Sequence, residues 1–149
     1  MKFSVALLLI TTLVTVSSCE TKKPLPLVGT WELVSATATE KDSTYSTFDP
    51  NRKMIKIINA THFAFLNHAI QTGTDSSAAA FSAGGGSYTL ADSTYTENLE
   101  YFVDKQWENH KFQFAVTISN DTLTQTGVEK LEKLGIDRII VEKYVRAKN

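Results

Sequence analysis

Few residues in this 149-residue chain are of a type and spacing that could do chemistry. Glu97 is the foremost. Period-two alternation puts Tyr95, Glu97, Leu99 and Tyr101 on one face of a strand. A carboxylate among apolar neighbours must find a partner, because an isolated buried charge is costly. Arg138, Lys143 or Arg146 could supply one. Turned inward, Glu97 and Tyr101 would be polar handles in a mostly apolar cavity; turned outward, Glu97 is simply solvated. Tyr144 and Arg146 are two apart and share a strand face. Arginine pairs bidentately with carboxylates, so these two could hold an anionic head group. Glu142 lies on the same face and would oppose that use.

Other chemistries find little support. His62 and His68 are separated by about 20 Å along a strand at ~3.3 Å per residue, too far for one metal ion. No Gly-x-Ser-x-Gly nucleophile motif occurs, and Gly84-Gly85-Gly86 opens no helix, so it is no phosphate loop. Glu97 acting as a general base is an enzymatic reading, but no histidine can be assigned to orient it. The formal charge is −1 and there is no basic patch to suit nucleic acid. The expectation is a non-enzymatic protein with no cofactor, metal or nucleic-acid partner. Trp107, in a polar connection, could cap a cavity mouth, contact a partner or fold back as a loop anchor.

Cys19 is the only cysteine, which excludes an intrachain disulfide. It ends an apolar leader: Lys2 supplies a positive charge, Phe3 to Val16 carries none, and Ser17 and Ser18 are small. The leader is short of the ~20 residues a membrane span needs. Val16-Ser17-Ser18-Cys19 resembles the lipobox of bacterial lipoproteins. That resemblance implies diacylglycerol on the Cys19 sulfur, removal of residues 1–18, and acylation of the new amino terminus by palmitate-type chains. Each buried CH₂ contributes about 0.8 kcal/mol, so several chains make a lasting anchor. The membrane is then a partner through Cys19, and the bacterial cell envelope the location. Glu20 rather than Asp after the cysteine points to the outer membrane, on its periplasmic or surface face. A plain secretory signal with an incidental cysteine is the alternative. Loss of Lys2 would take the formal charge to −2.

Residues 19–27 read as a lipidated tether, stiffened by Pro24 and Pro26. Residues 28–149 read as one domain of eight strands at short spacing: 28–36, 53–58, 62–70, 81–90, 94–102, 111–118, 122–126 and 138–146. Segments 37–51 and 71–79 read as polar loops. Asn59-Ala60-Thr61, Ala91-Asp92-Ser93 and Asn120-Asp121 read as tight turns. Val128, Leu131 and Leu134 have helical spacing, ended by Gly135, which predicts a short helix before the last strand. The expected fold is all-β: a small eight-stranded antiparallel up-and-down barrel able to hold one small ligand. A two-sheet sandwich is the alternative, but closure removes exposed edges.

Leu27-Val28-Gly29-Thr30-Trp31-Glu32-Leu33 resembles the Gly-x-Trp opening strand of the lipocalins, and Glu142-Lys143-Tyr144-Val145-Arg146 resembles their closing strand. Gly86-Ser87-Tyr88-Thr89-Leu90, Thr94-Tyr95-Thr96-Glu97 and the Asn120-Asp121 turn are similar to lipocalin-like domains of Bacteroidetes-type lipoproteins and secreted proteins. The resemblance spans residues 27–146. It implies a structural barrel base at Gly29 and Trp31, with a cation such as Arg146 stacked on the indole. A barrel of this kind is expected to hold a small, largely apolar ligand, and the residues themselves offer Glu97, Tyr101, Tyr144 and Arg146 as its polar contacts. The alternative function is a structural or interaction module whose barrel is filled by Phe63, Phe65, Phe112 and Phe114.

Overall fold

Burial alternates along the chain as a half-buried strand requires. The computed structural model describes residues 26–70 and 81–148. The leader 1–18, Cys19, the tether as far as residue 25 and the loop 71–79 lie outside the described residues. Nine strands form: β1 (Gly29–Glu40), β2 (Ser43–Ser46), β3 (Arg52–Ile58), β4 (His62–Ala69), β5 (Phe81–Ala91), β6 (Thr94–Phe102), β7 (His110–Ser119), β8 (Thr122–Leu131) and β9 (Ile136–Arg146). In β7, for example, Phe112, Phe114 and Val116 are buried while Lys111, Gln113, Ala115 and Thr117 are exposed.

Sequential neighbours from β3 to β9 pair antiparallel, and β1 pairs with both β3 and β9. The eight strands β1 and β3–β9 therefore close into a barrel, and β2 is an addition on the side of β1. Sequence alone gave no strand at Ser43–Ser46, because every residue of it is exposed and no apolar alternation marks it. It forms because β1 runs on to Glu40, and Lys41 takes a left-handed φ of 52° to turn the chain back. The Thr39 and Thr44 hydroxyls then meet at 2.8 Å and Tyr45 donates to Glu40 at 2.9 Å.

The β1–β3 ladder is short. It runs from Gly29–Ile58 to Glu32–Ile55, and β2 takes over at Thr37. Between them the seam is closed by side chains, with a gap of about 60 Å³ bordered by Leu33, Phe48, Met54 and Asn67. The Lys53 ammonium on β3 reaches Glu32 Oε2 on β1 at 3.1 Å across the seam.

The expected helix after residue 128 is instead strand. Val128 pairs with Ile139 and Leu131 with Ile136, so β8 continues through the segment. Its alternation puts Leu131 inside and leaves Val128 half exposed, and the ladder to β9 outweighs the three-residue spacing. A single 3₁₀ turn, Glu132–Leu134, remains, ended by Gly135 at φ 67°.

One end of the barrel is packed solid. Trp31, Tyr95, Tyr144, Leu27, Ile58, Leu123 and Val116 are fully enclosed there. The Trp31 Nε1–H donates to the Leu27 carbonyl at 2.8 Å. Arg146 stacks on the indole with its guanidinium carbon 4.1 Å from the ring centroid, and donates to the Val28 and Pro26 carbonyls at 3.1 and 2.8 Å. Gly29 is required beneath it: its φ is +149°, and a Cβ there would collide with the Arg146 guanidinium.

Candidate functional site

Above the packed end the barrel encloses a cavity of about 320 Å³. Its floor is polar. Lys56 on β3, Glu97 on β6 and Gln125 on β8 are 3, 7 and 2% exposed. The Lys56 ammonium donates to Glu97 Oε1 at 2.8 Å and to Gln125 Oε1 at 3.1 Å. It also lies 5.2 Å from the centre of the Tyr144 ring and 5.8 Å from that of Phe63. The buried lysine is thus held by one full charge, one amide and two aromatic faces, which offsets its desolvation.

A second polar group lies higher on the wall. The Arg138 Nε and Nη2 both reach Glu129 Oε2 at 2.7 Å, and the guanidinium carbon is 6.0 Å from the Trp107 ring centre. Burial holds the Glu129 carboxyl above its usual range, opposed by Arg138 and reinforced by the charges of Glu142 and Glu97. The Tyr144 hydroxyl donates to Glu142 Oε2 at 2.6 Å. Complete burial pushes the Tyr144 phenol well up, with Glu142 adding to the effect, so it stays a donor. The Tyr95 phenol is also pushed up by burial and then by Glu97, and its hydroxyl has no hydrogen-bond partner among the described residues.

The mouth is ringed by aromatics. Phe102 contacts Phe65 at 5.6 Å and Trp107 at 6.1 Å between ring centres, and Trp107 contacts Phe112 at 6.0 Å. Trp107 reaches this position on a single 3₁₀ turn, Lys105–Trp107, whose start Asp104 caps by accepting from the Gln106 amide at 3.1 Å. The tryptophan is therefore a loop anchor folded onto the barrel and also part of the cavity wall. Gly84 makes room for the ring: a Cβ there would strike both Phe65 and Phe102.

The structure separates the sequence-predicted residues. Glu97 and Tyr144 line the cavity. Tyr101 does not; it points outward and is 66% exposed. The cause is a bulge. Leu99 opposes Gly86 and Tyr101 opposes Gly85, which leaves Glu100 unopposed and reverses the alternation, so that Phe102 takes the inward place. Arg146 also lies away from the cavity. It shares the Tyr144 side of β9 but falls at the packed end, where it is engaged with Trp31 and the backbone, and it binds no group in the cavity. The partner of Glu97 is none of the three cations suggested by the sequence but Lys56. The signal for it was the parity of Met54, Lys56 and Ile58 on β3, which puts a lysine on an inward face.

His62, His68 and His110 are all exposed. Among the described residues no three His, Cys, Asp or Glu side chains are grouped to hold a metal ion. Glu97 is engaged by an ammonium with no histidine beside it.

Fold and site together define a class: a small closed antiparallel barrel, sealed at one end, with an enclosed and partly charged cavity toward the other. Within that class, residues 26–149 match the model of a family described as a domain of unknown function, DUF4488, and the chain belongs to that family. No curated protein and no solved structure matches it.

Proposed function

We propose that this protein is a non-enzymatic, lipid-anchored lipoprotein of the bacterial envelope whose lipocalin-like barrel holds a small, largely apolar ligand. The observation that carries the reading is the unfilled cavity of about 320 Å³, which lies at the small end of ligand sites. Aromatic side chains form its upper wall and a fully partnered polar cluster its floor, the usual composition of a binding pocket. Anchoring rests on Cys19 and its leader. Residue 26 is bound at the sealed end, so the anchor joins the barrel there, and residues 19–25 can span at most about 25 Å.

Native mass spectrometry of protein purified from its own host tests the binding reading. A reproducible bound small molecule, lost on denaturation, is expected; protein of bare-chain mass throughout would refute it. Cys19→Ser tests the anchor: it should move the protein from the membrane fraction to the soluble fraction, and no redistribution would exclude lipidation there.

A second reading, an interaction module, draws on one observation. The outer surface over Gly84–Gly86 is an apolar groove bordered by Leu66, Tyr101 and Val103, and Tyr101 and Val103 are largely exposed. A host partner retained by the wild type and lost in Tyr101→Ser, with an empty cavity, would favour this reading.

A further inference from the structure

We propose that the cavity ligand carries a positive charge, as a protonated amine on a short apolar body. This rests on the reading of the barrel as a binding protein and adds the chemical class of what it binds.

The charges on the wall do not balance. Three carboxylates, Glu97, Glu129 and Glu142, face the cavity with only two cations, Lys56 and Arg138. Both cations are engaged. Lys56 is 2.8 Å from Glu97 and Arg138 is 2.7 Å from Glu129. Glu142 is left with a single neutral donor, the Tyr144 hydroxyl at 2.6 Å, and no Lys or Arg among the described residues forms an ion pair with it. A carboxylate accepts up to about four hydrogen bonds, so Glu142 retains acceptor capacity toward the cavity.

The aromatic wall has the same preference. Arg138 already lies over Trp107 and Lys56 over Tyr144, so the rings here present their electron-rich faces to cations. An ammonium at Glu142 would find an opposite charge without displacing either existing ion pair. An anionic ligand would meet three carboxylates and would have to break an existing ion pair to find a cation. The volume limits the body: about 320 Å³ equals roughly ten water-sized units.

The test is calorimetric titration of the purified protein at neutral pH with three probes of one length: hexylammonium, hexan-1-ol and hexanoate. Hexylammonium should bind at least about tenfold more tightly than either of the others, the scale of one desolvated charge-assisted contact. Glu142→Gln, which keeps an acceptor for Tyr144, should erase that preference. Equal binding of the three probes, or a preference for hexanoate, overturns the charge assignment while leaving a binding barrel. Binding of none of the three at millimolar concentration refutes the binding reading itself. The comparison of probes on the wild type stands even if the variant fails to fold.

Discussion

At the scale of single residues, the Lys56–Glu97 pair dominates. Neither group could be buried alone, and removing one strands the other. Glu97→Leu or Lys56→Met should each cost about 3–5 kcal/mol, while the double replacement should recover most of that loss, because two apolar side chains carry no desolvation penalty. Urea unfolding of the four proteins in the cycle measures it; additive losses would mean that the two charges act independently. Tyr95 gives the opposite expectation. Its hydroxyl is buried without a partner, so Tyr95→Phe should be neutral or stabilise by about 1 kcal/mol. A loss of stability instead would mean that the hydroxyl is bonded, to water or to Glu97, which acts on it electrostatically. Glu97 could be singled out in the sequence because its strand alternates cleanly. Its partner was less legible: the parity of β3 turns Lys56 inward, but Lys56 lies 41 residues earlier and three other cations were equally plausible by type.

At the scale of elements, local chemistry and long-range pairing contribute differently. Asn120 and Asp121 both adopt left-handed φ values, 49° and 58°, as a tight two-residue hairpin needs, and the residue types announce it. Asn59 similarly announces its turn, its side-chain oxygen accepting from the Thr61 and His62 amides at 2.9 and 2.8 Å. The bulge at Glu100 has no such signature. It is held by hydrogen bonds from the Ser87 hydroxyl and the Ser87 backbone amide to Glu100, contacts that exist only once β5 and β6 are paired. That is why Tyr101 could be placed on the wrong face while Tyr95, Glu97 and Leu99 fell on the right one. β8 was cut short for a related reason: Val128, Leu131 and Leu134 fit a helix locally, and only the register with β9 decides otherwise. The glycine at position 84 belongs to this scale as well. Gly84→Ala should cost about 1–3 kcal/mol by forcing Phe65 and Phe102 apart, and should also reshape the cavity mouth. A thermal melt, together with the near-ultraviolet spectrum of Trp107, would register both effects; an unchanged melt would mean that the rings can yield freely.

At the scale of the whole molecule, the two ends of the barrel do different work. The sealed end ties the chain termini together, since Arg146 on the last strand binds the Pro26 and Val28 carbonyls ahead of the first. Arg146→Ala should cost about 2 kcal/mol through the lost stacking and hydrogen bonds. Much of that loss should persist in 1 M salt, because the Asp121 contact at 3.6 Å is exposed and long. A loss abolished by salt would shift the weight to that ion pair. Ligand affinity should be unaffected, because the residue is remote from the cavity.

The short β1–β3 ladder gives the barrel an uneven stiffness. Around most of its circumference the wall is a woven hoop of backbone bonds, but over the arc between Glu32 and Thr37 it is fastened by a clasp of side chains, the Glu32–Lys53 ion pair at 3.1 Å among them. A hoop with one clasp opens at the clasp. Amide exchange should therefore be fastest, within the barrel strands, at Lys53 and Met54 and slowest along β7 and β8. Glu32→Ala should speed it further without changing the sealed end, and uniform exchange around the ring would show that the clasp is as strong as the weave.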